Sequence, residues 1–73
     1  MKNNKLYKLY LTDSIRKDVF VGSWIVRKCA EDEARNYLKL YAHSMRIEEV
    51  NPVTMNIICE YELTRQEVEN GKI

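Results

Sequence analysis

Few residues in this chain are suited to acid–base, nucleophilic or metal chemistry. There is one histidine, His43, and there are two cysteines, Cys29 and Cys59, thirty positions apart. A structural zinc site takes four ligands, and neither cysteine has a C-x-x-C companion, so two Cys and one His fall short. Cys29 directly precedes a segment with helical spacing, whose N-terminal dipole would lower a thiol pKa. Glu31, Asp32 and Glu33 stand at the same terminus and push it back up. His43 falls near the end of that segment, where an imidazole more often meets the terminal carbonyls than serves as a base. Glu48-Glu49 and the alternating Glu60 and Glu62 read as solvated faces, not as a glycosidase pair or a divalent-ion cage. With Gly22 and Gly71 as the only glycines, no phosphate-cradling loop exists. No nucleophile, base and orienter come together, so neither an enzyme nor a bound cofactor or metal is expected. The aromatic residues are left. Tyr7, Tyr10, Trp24 and Tyr61 on a sheet would stack bases, with Lys5, Lys8, Arg27 and Lys28 for phosphates. Against this, no ribonucleoprotein motif is present, and Tyr7, Trp24 and Tyr61 suit a core equally well.

The elements that must position these residues follow from periodicity. Residues 5–12 alternate, with Tyr7, Leu9 and Leu11 on one face and Leu6, Lys8, Tyr10 and Thr12 on the other, which predicts a strand. Asp13-Ser14 and the charged run Arg16-Lys17-Asp18 predict a loop. Residues 19–28 are rich in β-branched and aromatic side chains and predict a second strand, with a bulge or bend near Gly22-Ser23. Phe20, Trp24 and Val26 share one parity, and Val19, Val21 and Ile25 the other. From Glu31 the period changes. Ala30, Ala34, Tyr37, Leu38, Tyr41, Ala42 and Met45 recur at spacings of three and four, the stripe of an amphipathic helix with acids in its first turn. Residues 46–53 read as a connector with a turn at Asn51-Pro52. Thr54 to Leu63 then alternates, with Met55, Ile57, Cys59, Tyr61 and Leu63 on one side and Asn56, Ile58, Glu60 and Glu62 on the other. Thr64 and Glu67 form a capping box for a short terminal helical turn ended by Asn70-Gly71.

The predicted fold is therefore α+β in one domain over residues 1–73. A small three-stranded sheet in the order β-β-α-β carries one long helix on one face and a short C-terminal helical turn. Pairing of the basic first strand with the acidic last one, Lys8 near Glu60 or Glu62, suggests strand order 2-1-3. The expected core is Tyr7, Leu9, Leu11, Trp24, Val26, Ala34, Leu38, Ala42, Ile57, Cys59 and Tyr61.

Size and charge narrow the function. At 73 residues the chain buries only about 62 % of its unfolded surface, the marginal end for a self-sufficient domain. No apolar run approaches eighteen residues and the opening Met1-Lys2-Asn3-Asn4-Lys5 is not a secretory signal, so a cytoplasmic protein with no membrane span is expected. A Cys29–Cys59 disulfide is disfavoured in that reducing setting, and the two read as small buried hydrophobes. The net charge of +1 conceals an asymmetry. Residues 1–28 hold seven bases against two acids, and residues 29–73 hold five bases against nine acids. Such a split marks either a basic binding face or basic strands pairing with acidic ones, and the second needs no partner.

The run Trp24-Ile25-Val26-Arg27-Lys28-Cys29-Ala30-Glu31-Asp32-Glu33-Ala34-Arg35 resembles a strand-to-helix junction of small phage and prophage proteins, and Leu6-Tyr7-Lys8-Leu9-Tyr10-Leu11 is similar to their opening strands. The resemblance covers about the first forty-five residues. The chain departs from the pattern with Arg27-Lys28 in place of small residues and Ala30 in place of a capping Ser. The resemblance implies a mobile-element accessory protein that binds, and in one version inhibits, a host protein. It carries over no functional residue.

An excess of apolar residues gives the last expectation. One helix covers one face of the sheet, leaving Leu6, Tyr10, Ile25 and Ile58, with Val19 or Val21, on the other. That face is the expected interface, rimmed by Lys8, Arg27, Glu60 and Glu62. Its expected occupant is a second copy in a sheet-to-sheet homodimer or a different protein partner. Nucleic-acid or nucleotide binding by the basic, aromatic N-terminal strands is the alternative.

Overall fold

The computed structural model describes residues 5–66. It contains β1 (Leu6–Thr12), β2 (Val19–Trp24), α1 (Arg27–Leu40), β3 (Ser44–Val50) and β4 (Ile57–Thr64). The four strands form one antiparallel sheet in the order β2-β1-β3-β4. Because β1 runs against both of its neighbours, β2 and β3 are mutually parallel, and α1 is the crossover between them. The α+β class and the single helix over one face agree with the sequence. The number of strands does not, since the expected connector 46–53 begins as β3.

The segment Ser44–Val50 escapes a periodicity reading for two physical reasons. Met45 continues the helical spacing of Ala42, and two of the strand's later residues are glutamates. In the structure Met45 and Ile47 point under the helix and are fully buried, while Glu48 and Glu49 are also buried, at 8 % and 7 % exposure. Glu49 survives there because Lys5 reaches it at 2.8 Å. Its insertion corrects the expected contact of Lys8 with Glu60 or Glu62: Lys8 faces Glu48, and Glu48 in turn faces Glu60.

The helix is shifted towards the N-terminus of its predicted range. It starts at Arg27, with extended Val26 as its N-cap and no side-chain cap, and it ends at Leu40. The ion pairs Arg27–Glu31 and Lys28–Asp32, each one turn apart, support the early start. The acids consequently lie beyond the first turn, and Cys29 is inside the helix and exposed. Ala30, Ala34 and Leu38 form the buried stripe, whose alanines let the helix lie close to the sheet.

Three cross-strand rows line the helix-covered face: Val19–Leu11–Met45–Leu63, Gly22–Leu9–Ile47–Tyr61 and Trp24–Tyr7–Glu49–Cys59. Tyr7, Leu9, Leu11, Met45, Ile47 and Leu63 pack with the helix stripe and Ala42 in one core, and Val21, Trp24, Tyr37 and Tyr61 close its edges. The Trp24 indole lies across Gly22, where an added Cβ would stand 3.1 Å from its ring. Three expected core members are not in the core. Val26 is the helix cap at 50 % exposure, Ile57 is 53 % exposed, and Cys59 is exposed on the outer strand. Both cysteines are thus free and exposed, not buried.

Two irregularities account for the parity errors. The β1–β2 register slips so that Val21 has no opposite residue, next to Gly22 where a bulge is expected. This turns Phe20 to the open face and Val19 to the covered one. The β3–β4 register slips at Ile58, which turns Ile57 to the open face. The predicted turns hold. Asp13 Oδ1 accepts from the backbone N–H groups of Ile15 and Arg16, and Asn51 Oδ1 accepts from those of Val53 and Thr54. Thr64 closes β4, Arg65 and Gln66 after it have helical backbone, and the rest of the helical turn expected there, with Glu67 and Asn70-Gly71, lies outside the described residues.

Candidate functional site

The face of the sheet opposite α1 has its own rows: Leu6–Val50–Ile57, Ser23–Lys8–Glu48–Glu60 and Phe20–Tyr10–Arg46–Glu62. Arg46 is their centre. Its guanidinium lies over the Tyr10 ring, 4.1 Å from the centroid, and Tyr10 in turn meets Phe20 with ring centroids 5.6 Å apart. Its Nε and one terminal nitrogen donate to the two oxygens of Asp18 at 2.9 and 3.0 Å, a bidentate fork. The other terminal nitrogen donates to Glu48 and, at 2.9 Å, to Glu60.

Local structure brings these groups together. Asp18 sits in the left-handed region at φ 57°, which an aspartate tolerates better than most residues. Its backbone N–H donates to Thr12 Oγ1 at 3.0 Å, so the loop between β1 and β2 is folded back over the end of β1. That conformation delivers the carboxylate to Arg46. The charge-assisted bonds hold Asp18 below the usual carboxylate range and raise the Arg46 guanidinium above its own, chiefly through their mutual hydrogen bonds. Burial, then the Glu48 carboxylate, raises the Tyr10 phenol. The open face is therefore not a bare apolar patch. It is a guanidinium surrounded by three carboxylates and one ring, bordered by Phe20 at one side and by Leu6, Val50, Ile57 and Ile58 at one end.

Of the residues expected at the interface, Leu6, Lys8, Tyr10, Glu60 and Glu62 lie on this face, and Ile58 bulges from β4 beside it. Two do not belong to it. Ile25 is in the link between β2 and α1, 76 % exposed. Arg27 opens the helix and lies on the covered side, where it donates to Glu31 and to the Tyr61 hydroxyl and stacks over the Tyr61 ring. Burial and the Glu31 hydrogen bond push the Tyr61 phenol up to about 12. Neither Val19 nor Val21 reaches the open face, because of the bulge. Arg46, Glu48, Asp18, Phe20 and Ile57 are the site residues that periodicity misses.

The aromatic set proposed for base stacking is divided between two faces. Tyr7, Trp24 and Tyr61 are on the covered face, and Tyr10 is under Arg46. Of the cations proposed for phosphate, Lys5, Arg27 and Lys28 are engaged by Glu49, Glu31 and Asp32. Among the described residues no cavity is present and no cluster of His, Cys, Asp and Glu is arranged to hold a metal ion. No helix among them is long and apolar enough to cross a membrane. No protein-family model matches the chain, and neither does any curated protein or solved structure.

Proposed function

We propose that this chain is a non-catalytic protein-interaction module that docks a different protein through the open side of its sheet. The observation that carries this is the uncovered sheet face itself. The only helix described packs on the other side, while Phe20, Ile57 and Ile58 stay more than half exposed around a fixed charge cluster. Exposed aromatic and aliphatic anchors and an arginine are residue types enriched at protein-recognition surfaces, and fixed charges beside them set register. Phe20 and Ile57 would supply the buried area, and the Arg46 cluster the register.

The charge of the face favours a different protein over a second copy. It presents Lys8 and Arg46 against Asp18, Glu48, Glu60 and Glu62, so that face-to-face stacking of two copies would oppose two acidic surfaces. A host protein bound by a mobile-element accessory protein is one such partner, and the resemblance noted in the sequence is its only support. Nucleic acid fits the acidic face poorly.

The test is retention of partners from nuclease-treated lysate on three immobilised, folded forms of the chain. These are the wild type, a Phe20→Ser/Ile57→Ser variant, and a Leu40→Ser variant that alters an exposed residue at the end of α1. The same partner should be held by the wild type and the Leu40 variant and lost by the open-face variant. Equal retention by all three would refute the reading. Retention found only in lysate left without nuclease, and falling steeply with salt, would replace it with nucleic-acid binding.

A further inference from the structure

The sheet ends in two edge strands, and they are protected to very different degrees. β2 has six residues, is interrupted by the unpaired Val21, and gives way within two residues to α1. Short length and a bulge are the ordinary devices that close an edge to further pairing. β4 has eight residues and its own unpaired residue, Ile58, lies at its very start, so that its pairing to β3 is regular over the six residues from Cys59 to Thr64. No described residue pairs with its outer side. It contains no lysine and no proline, and its first four residues, Ile57 to Glu60, are all exposed. Its charges are Glu60 and Glu62 alone. Glu60 shares Arg46 with two other carboxylates, and Glu62 has no ion pair to any described residue.

We infer that the outer edge of β4, from Ile57 to Leu63, receives an extended segment of another protein, carrying basic residues at alternate positions and an apolar end that meets Ile57 and Ile58. This rests on the interaction-module reading and names the chemistry of the partner. Main-chain hydrogen bonds along the edge would supply affinity, and the alternating side chains would supply specificity. Self-pairing is the competitor, and the glutamates disfavour it. In an antiparallel pair of identical strands the numbers of facing residues have a constant sum. A two-fold axis at Glu60 sets Glu60 against itself, and one at Tyr61 sets Glu60 against Glu62. Like charges directly opposite destabilise a strand pair, and a lysine or arginine at the same place stabilises it.

The experiment is a titration of the isotopically labelled full chain with three blocked eight-residue peptides, followed by amide chemical shifts and exchange. One peptide alternates lysine and valine, one alternates glutamate and valine, and the third is the lysine peptide with two central prolines. The lysine peptide should shift and slow the amides of residues 57–64 and leave those of β2 unchanged. The glutamate and proline peptides should do neither. Glu62→Lys, at a position exposed and without a described ion pair, should weaken the lysine peptide roughly tenfold and admit the glutamate peptide. Glu62→Gln should fall between. Equal binding of the proline peptide would reduce the effect to charge attraction and overturn the inference. So would a response at β2, or an unchanged preference in Glu62→Lys. Protection of the outward amides of β4 in the free chain would also overturn it. Dependence of that protection on concentration would identify a second copy as the occupant, and independence the chain's own terminal residues. If the edge fails while the open-face variant still loses its partner, the module stands and only this occupant falls. If the peptide pattern holds while all three immobilised forms retain alike, the edge stands and the open-face reading falls.

Discussion

The two faces of one sheet are ordered by different physics. On the covered face, Leu9, Leu38, Met45 and Ile47 are fully buried and held by apolar packing that is indifferent to pH and salt. On the open face, order comes from one guanidinium that engages a loop, its own strand and the neighbouring strand through Asp18, Glu48 and Glu60. The first makes the domain stable. The second fixes the arrangement of a surface that remains in contact with water. A small chain gains from this division, since a charge cluster can hold a face rigid without a second layer to cover it.

Damage to each face in turn should have different consequences. Ile47→Ala removes a fully buried side chain from beneath the helix and should cost about 2–5 kcal/mol. The whole stability of a 73-residue domain is roughly 4–11 kcal/mol, so thermal unfolding should show a variant near the limit of folding. Arg46→Ala strands Glu48, which is buried, and frees the loop at Asp18. It should cost about 2–3 kcal/mol in denaturant titration and raise the exchange of loop amides 13–18 selectively. Arg46→Lys keeps the charge but loses the fork to Asp18, and should cost about 1 kcal/mol.

Acid should distinguish the faces without any substitution. Hydrogen bonds to the backbone and side chain of Arg16 lower Asp13 to about 2, and ion pairs with Arg46 and with Arg35 and Lys28 lower Asp18 and Asp32. A carboxylate depressed in the folded state contributes stability that is complete above its unfolded pKa, about 3.9, and is lost as pH falls towards the folded value. Between pH 4 and 2 the loop amides should therefore lose protection before those of the covered strands. In base the sign reverses for Tyr61. Its neutral phenol is favoured by folding, so its contribution is complete below about pH 10 and lost as pH rises towards about 12.

The smallest effect should be a gain. Met55 is held at φ 64° in the turn between β3 and β4, where its N–H donates to the Asn51 carbonyl at 2.7 Å. A long side chain has no conformational reason to occupy that region. Met55→Gly should stabilise the domain by about 0.5–1 kcal/mol in thermal unfolding. A loss of stability instead would show that the half-exposed Met55 side chain contributes packing to the hairpin.

Local pattern was sufficient where one face of an element is apolar and the other is not. Tyr7, Leu9 and Leu11 revealed β1, Ala30, Ala34 and Leu38 the helix, and Asn51-Pro52 the turn. It failed where tertiary contacts permit a residue that pattern forbids. Glu49 in the inward row is acceptable only with Lys5 beside it, and Glu48 only with Arg46. These contacts join residues far apart in the chain or concealed by a charged run, and β3 vanished with them. The candidate surface suffered most. Tyr10, Leu6, Lys8, Glu60 and Glu62 were legible by parity, but the Val21 and Ile58 bulges inverted Phe20 and Ile57, and the centre of the face, Arg46, stood in a segment read as connector.

Whether the protein meets its partner through the open side of the sheet is decided by a hydrogen-exchange footprint. Exchange would be compared for the free chain and for the chain bound to the protein it captures. Added protection is expected over residues 6–10, 18–20, 46–50 and 57–64 of the open face, with α1 unchanged. Protection concentrated on α1, with the sheet exchanging as in the free chain, would contradict it.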